Sequence, residues 1–425
     1  MKAWATSTFR SLRVYNYRLW ATGALVSNIG TWMQRIAQDW LVLTELTDKS
    51  ASAVGITTAL QFGPQLLLLP WTGIAADRLN QRKLLMATQA AMALLALGLG
   101  VLTLTGVVTL WEVYVFAFLL GCAAAFDAPA RQAFVSEMVG KEDLPNAVAL
   151  NSMTFNGARM IGPAIAGFLI AGIGTGWVFV ANGASYVAVV ASLLFFRLHE
   201  LLPNARAPRR PGGFLEGLAY VWRRDDLRAN MIMVGLIGTF GMNFAIWTSA
   251  MAVKVFHTDA HGYAILTSAM AVGTVAGALL AAGRDEPGFH HLRSGTAVFA
   301  VGCLGAALAP GYWFYAAALI VIGVSVLTFL NASNSLVQLT TEPTLRGRVM
   351  SIRMAIAMGG TSFGAPLVGW IADQFGPRWS LGFGVAGGLA ATAVAVHYMI
   401  HRRDPGTPLE PGVVRGDLVE RQGPR

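Results

Sequence analysis

The sequence predicts an all-α membrane protein of twelve transmembrane helices, arranged as two six-helix pseudo-repeats. Three observations carry that prediction. Only 12% of the 425 residues are charged while 55% are hydrophobic, and a soluble chain needs about twice that charge, ~25%, to coat its surface. Apolar runs of about 20 residues or more, each long enough to cross ~30 Å of hydrocarbon, recur from Tyr17 to His401. The two halves of the chain also match. A shift of 202 places Gly157, Gly162, Gly167 and Trp177 on Gly359, Gly364, Gly369 and Trp379, and a shift of 208 places Ile29-Gly30-Thr31-Trp32 on Ile237-Gly238-Thr239-Phe240.

A segment 1–16 is expected on the cytoplasmic side, because the first apolar run is too long for a secretory signal and lacks its cleavage site. The first half, 17–198, then reads as six spans. The first, 17–44, stops at Thr47-Asp48-Lys49; the second, 52–76, stops at the charges that begin with Asp77; the third, 84–109, follows Arg82-Lys83. The fourth, 112–138, ends before Lys141-Glu142-Asp143, the fifth, 146–172, before Gly174, and the sixth, 176–198, at His199-Glu200. A central loop, 199–228, is rich in proline and arginine and closes in an amphipathic helix with Phe214, Leu218, Val221 and Trp222 on one face, suited to lie on the inner membrane surface.

The second half, 229–401, repeats the pattern with spans 229–254, 262–283, 294–310, 312–340, 346–372 and 379–401, each bounded by charges or by proline and glycine. A tail, 402–425, reads as disordered and cytoplasmic. With both termini inside, the 31 Lys and Arg fall as 26 on inner loops, helix ends and tails, three outside and two within spans, the bias that orients membrane helices. The net charge of +9 is thereby assigned to the anionic inner leaflet of the cell membrane, and no nucleic-acid partner is needed.

Charge at membrane depth is confined to the first half. Arg35 and Asp39, and Asp127 and Arg131, are i,i+4 pairs able to neutralise each other on one helix face. Arg159 stands alone. Their counterparts in the repeat are neutral: Asn243 and Trp247, Phe329 and Ser333, and Thr361. Each such charge costs at least ~2.5–3.5 kcal/mol near the bilayer centre, so either helix locking or proton and substrate work must retain it. The second half offers Asn331, Asn334 and Gln338 on one face, read equally as interhelical hydrogen bonds or as substrate contacts.

Other chemistry finds no constellation. The sequence has no phosphate-binding GxxxxGK[ST], no HExxH and no GxSxG, so no enzyme, cofactor or metal site is expected. Cys122 and Cys303 lie in apolar runs and read as packing residues.

Gly73, Asp77, Arg78, Arg82 and Lys83 keep the spacing of a loop between second and third helices that resembles the signature of the major facilitator superfamily, with Asn80 where that family usually has glycine. The resemblance implies the major facilitator fold and a latch that braces the two halves in one access state. Gly157, Gly162, Pro163 and Gly167 look like the glycine-proline signature of its proton-coupled exporters, with Ala166 in place of a glycine. Together with the Asp127 to Ala133 segment and Gly30 to Gln34, the chain is similar to the drug and siderophore exporter branch, which includes the enterobactin exporter and macrolide efflux proteins. The expected activity is proton-coupled export of an amphipathic small molecule by a monomer. Asp127 is the first choice as proton carrier and Asp39 the second, with Arg35, Arg131 and Arg159 as counter-ions. Trp32, Gln34, Gln38, Asn156, Phe240, Asn243, Trp247, Asn331 and Asn334 are the substrate-site candidates. A proton-coupled importer of a polar solute and a non-transporting receptor or scaffold are the alternatives.

Overall fold

A computed structural model of the chain describes residues 9–140, 142–202, 213–282, 288–342 and 345–401. The tail 402–425, the start of the N-terminal segment and most of the Pro/Arg-rich stretch of the central loop lie outside the described residues. Among those described, every regular element is helical. The first half holds α1 (Tyr15–Thr44), α2 (Ala51–Leu67 continued by Leu69–Arg78), α3 (Gln81–Leu104), α4 (Leu110–Met138), α5 (Leu144–Ile173) and α6 (Thr175–Leu194). A surface helix, Gly213–Arg223, leads to α7 (Asp225–Val255), α8 (Ala260–Ala282), α9 (Phe289–Leu308), α10 (Tyr312–Thr340), α11 (Arg346–Gln374) and α12 (Pro377–His401).

Ten of these, α3 to α12, are long and apolar enough to cross a membrane. The other two depart from a plain apolar rod for visible reasons. α1 is 30 residues long but buries Asn16, Gln34, Gln38 and Asp39 along its length. α2 breaks at Leu68, where Pro64 lies inside the first piece and Pro70 opens the second; a proline has no N–H to continue the ladder and its ring crowds the preceding turn. α7 is interrupted as well, by π-helical turns at Ile237–Gly241 and Met251–Val255. Between them the Asn243 side-chain amide donates to Thr239 O at 2.9 Å, giving that carbonyl a partner where the helix is irregular.

Side-chain caps set the helix starts. Ser50 Oγ accepts from Ala53 N at 3.2 Å to begin α2, and Asn80 Oδ1 accepts from Lys83 N at 3.0 Å to begin α3. Gly174, at φ 84°, ends α5 in a conformation that costs glycine nothing.

Two of the three repeated glycine pairs make equivalent contacts. Gly162 on α5 lies against α1, where a Cβ would stand 2.6 Å from Trp32 Cβ, and Gly364 on α11 lies against Thr239 of α7. Gly167 lies against Ala264 of α8, and Gly369 against Ala51 of α2. The pairs α5/α8 and α11/α2 therefore join the two halves; the α11/α2 contact runs from Gly369 against Ala51, at the end of the bundle away from the chain termini and called here the far end, through Gly55 against Ala365 to Gly359 against Leu66. Toward the terminal end, Met153 and Phe155 of α5, Leu339 of α10 and Met354 of α11 are exposed, and a Cβ at Gly157 would meet no atom within 4 Å. Gly167→Val is expected to lower thermal stability by ~1–3 kcal/mol, because its Cβ would meet the Ala264 backbone at 2.5 Å with no flexible atom to give way. Size-exclusion of heated samples reads the shift; an unchanged melting temperature would show that the α5/α8 contact is not close-packed.

Four tryptophans mark the far end. Trp111, Trp177, Trp313 and Trp379 sit in the first turn of α4, α6, α10 and α12, and each is more than half exposed. The surface helix packs on α11 through a 2.5 Å Glu216–Arg348 ion pair and buried Val221, leaving Trp222 exposed.

Candidate functional site

Helix geometry sorts the candidates on α1. Steps of three and four residues keep side chains on one face, while a step of two turns ~200° away. Trp32, Arg35 and Asp39 accordingly share a face, and Gln34 and Gln38 point elsewhere. Gln34 Oε1 accepts from Asn182 of α6 at 2.5 Å, and Gln38 donates to Val113 O of α4 at 3.1 Å and faces Gln61 at 3.3 Å. Both glutamines are therefore internal to the first half, contrary to the substrate-lining role expected of them.

The two i,i+4 pairs differ. Asp127 and Arg131 form the expected ion pair. Asp127 Oδ1 also accepts from Thr88 Oγ1 at 2.9 Å and Gln89 Nε2 at 2.7 Å, both on α3, and Arg131 lies over the Trp20 ring at 5.4 Å. This carboxylate is enclosed within the first half. Arg35 and Asp39 do not form the neutralising contact expected from their spacing. The Arg35 guanidinium is instead drawn onto aromatic faces, 4.3 Å from the Phe62 centroid and 4.9 Å from that of Trp32, an arrangement that stabilises a desolvated cation. Asp39 Oδ1 is left buried without a hydrogen-bond partner among the described residues. Its neighbour Trp40 stacks on Tyr263 of α8 with centroids 4.9 Å apart, and the Tyr263 hydroxyl is likewise unpartnered. Asp39 thus lies at the contact between halves, whereas Asp127 does not.

In the second half, Trp247 is buried beside Phe244 and Gly384, and Phe240 packs on Phe383 of α12 at 5.8 Å. Trp247 and Asn243 are buried, Asn243 at the α7 interruption, and Phe240 is half-buried. Asn331 and Asn334 keep partial exposure, Asn156 is exposed, and Trp32 is half-buried with its ring 6.3 Å from that of Phe155. These four, with Arg159, remain candidates for contact with a solute.

Of the latch residues, Arg78 and Lys83 are exposed, and Arg82 Nε donates to Leu193 O of α6 at 2.9 Å. Gly73 and Asp77 fall in the second piece of α2, and their side chains lie outside the described residues. On α5, Gly157 faces open space, Gly162 and Gly167 make the close approaches described above, and Pro163 O accepts weakly from Thr267 of α8 at 3.5 Å.

Two residues absent from the sequence reading belong to the site. Asp373, at the end of α11, accepts from Ala51 N and Ser52 N at 2.8 Å, Ser52 Oγ at 2.6 Å, Ser50 Oγ at 3.0 Å and Lys254 Nζ at 2.6 Å. A carboxylate of one half thereby caps the N-terminus of a helix in the other, where the helix dipole favours negative charge. Arg353 stands two turns inside α11, with Nε on Ser333 Oγ at 3.0 Å and Nη2 on Leu330 O at 3.2 Å. Counting it with the basic residues that open the eleventh span, Arg346 and Arg348, hid its depth.

Comparison with known proteins agrees with this architecture. The chain matches the family described as transmembrane secretion effector over residues 6–418. It is 28% identical to the multidrug efflux pump Tap of Mycolicibacterium fortuitum over 83% of this chain and 88% of that protein. It is 25% identical to the enterobactin exporter EntS of Salmonella typhimurium, covering 81% and 84%, and 28% identical to the staphyloferrin A transporter of Staphylococcus aureus, covering 59% of this chain and 63% of that one. Among solved structures, a bacterial homologue of the lysosomal transporter Spinster in an inward-facing, unoccupied conformation superposes with a TM-score of 0.66 at 15% identity, covering 91% and 95%. With two matched six-helix halves, a glycine-lined contact between them and a family match across nearly the whole length, the chain belongs to the transmembrane secretion effector family of major facilitator transporters.

Proposed function

We propose that this transporter exports an amphipathic small molecule from the cell by alternating access, driven by inward proton movement. The observation that carries the reading is Asp39: a buried carboxylate without a hydrogen-bond partner, beside the α1/α8 contact between halves. A buried carboxylate without a hydrogen bond is costly to keep ionised even with Arg35 one turn away, and a proton on Asp39 removes that cost, so protonation and the packing of the two halves are linked. Asp127, enclosed by Arg131, Thr88 and Gln89, serves better as an internal brace of the first half. The ranking of the two carboxylates read from sequence is thereby reversed. With the basic loops placed on the cytoplasmic side, the far end, joined by Asp373 and by the α5/α8 glycine contact, is the outer end, and the terminal end is the one through which the solute enters. A proton moving down ~100 mV supplies about 2.3 kcal/mol, enough for roughly fifty-fold accumulation at one proton per solute.

Inverted vesicles test the reading. An imposed proton gradient should drive accumulation of an exported dye, and the dye should not accumulate once an uncoupler collapses the gradient. Accumulation insensitive to the uncoupler would sink proton coupling. The loop latch is tested alongside: Asp77→Asn should insert normally and transport roughly tenfold more slowly, the effect of losing ~1.4 kcal/mol of bias between access states. A wild-type rate would remove the latch from the mechanism.

A further inference from the structure

The start of α7 and the end of α12 meet where Gly387 lies against Leu236 O and Phe240, a Cβ there standing 2.8 Å from Phe240 Cβ. Between that contact and the terminal end lies a groove of about 940 Å³, lined by Asp225, Arg228 and Ile232 of α7 and by Val394, His397 and His401 of α12. Steps of three and four residues put each set on one helix face, and polarity changes along both faces in the same sense. Asp225 and Arg228 stand with His397 and His401 at the helix ends, and Ile232 and Val394 lie one turn deeper. Pockets of roughly 300–1,000 Å³ hold drug-sized molecules, so the space admits a polar headgroup and the first methylenes beneath it. Leu389 and Ile400 are exposed on the α12 face that carries His397, and large apolar side chains left bare on a membrane helix turn the groove toward lipid.

Both signs of charge line the polar end. Arg228 pairs with Asp225 at 2.8 Å, with both side chains open to solvent. Such a pair contributes little to stability, so each member can exchange its partner for one on a ligand. The opposite wall is fixed: the His397 and His401 rings lie with centroids 4.1 Å apart, and His401 Nδ1 donates to His397 O at 2.9 Å.

We infer that this groove binds a phospholipid with a primary ammonium headgroup, its phosphate on Arg228, its ammonium on Asp225 and its chains running past Ile232 and Val394. The charges select that class. A headgroup bearing phosphate alone would bring a second anion to Asp225, and a choline offers that carboxylate no N–H, whereas a primary ammonium offers three. Arginine is suited to the phosphate. A soluble phosphate ester of the same charge would leave the apolar end of the groove unfilled. The occupant sits beside the Gly387 contact and one turn before the α7 interruption at Ile237–Gly241, so it braces α7 where its own hydrogen-bond ladder is irregular.

Native mass spectrometry of the delipidated full chain, titrated with phosphatidylethanolamine, phosphatidylcholine or phosphatidylglycerol, counts bound lipids and orders their affinities. Phosphatidylethanolamine should fill a first site roughly fivefold more tightly than the other two, the scale of one exposed ion pair. Asp225→Asn should remove that preference while leaving phosphatidylcholine affinity unchanged, a selective loss that misfolding does not produce. Arg228→Gln should weaken phosphatidylethanolamine by about the same factor. Ala393→Trp, which fills the groove from an exposed position of α12, should abolish the first site. Glycerophosphoethanolamine, the same headgroup without chains, should not compete. The inference is overturned if phosphatidylglycerol fills the site as tightly as phosphatidylethanolamine, which would make it an anionic-lipid site. It is equally overturned if Asp225→Asn keeps the preference, if Ala393→Trp binds as the parent does, or if the soluble headgroup displaces the lipid.

Discussion

Asp39→Asn is expected to abolish gradient-driven accumulation, reducing a roughly fifty-fold concentration ratio to unity, while leaving solute binding and downhill exchange largely intact. Asparagine keeps the shape and the polarity of the acid but cannot change charge, so the step that links protonation to the α1/α8 contact is lost. The paired measurement is Asp127→Asn. Removing one partner of a buried ion pair costs ~3–5 kcal/mol, so that variant should express poorly or unfold early instead of uncoupling selectively. If Asp127→Asn folds and loses concentrative transport while Asp39→Asn keeps it, the proton site lies in the α3/α4 cluster and the ranking from sequence was right after all.

Asp373→Ala should release the far end. The carboxylate caps α2, for which loss of a side-chain cap costs ~1 kcal/mol, and it holds Lys254, a partly exposed pair that adds ~1 kcal/mol after screening. Losing about 2 kcal/mol from the closed far end shifts the balance of states by roughly thirty-fold toward opening there. Spin labels at Asp48 and His257, in the α1–α2 and α7–α8 loops of the far end, would report a longer distance distribution. A distribution identical to that of the parent would mean that glycine packing holds the far end shut unaided. Lys254→Met should move the balance less, because the serine and backbone donors to Asp373 survive it.

Most of the fold was legible because lipid imposes a simple rule: a helix must be long and apolar, and the spans follow. The internal repeat was legible because close approach of helices admits only glycine at Gly162, Gly167, Gly364 and Gly369. Direction within a helix was harder. Gln34, Gln38 and Trp247 turn into the packing of their own halves, and a nearly uniform apolar background leaves little periodic signal to fix which face meets a partner. Spacing alone could not foresee that Arg35 would choose Trp32 and Phe62 over Asp39, because those aromatics come from a different turn and a different helix. Asp373 and Arg353 were missed for a common reason: charge near a helix end reads as a boundary, and only tertiary contact turns it into a clamp or a site.

The four far-end tryptophans have a mechanical consequence. Trp111 and Trp313, and Trp177 and Trp379, are equivalent positions of the two repeats, all exposed in the first turn of a helix that starts at the far end. Indole rings settle at the headgroup boundary, so this leaflet grips both halves at matched depth and the helices cannot slide along the membrane normal as they rock. Tilting must then stretch or compress the opposite leaflet around α5 and α11, at fractions of a kcal/mol per Å of mismatch. The turnover of this protein should therefore register bilayer thickness, running fastest in lipids whose hydrocarbon depth lies between those preferred by its two access states.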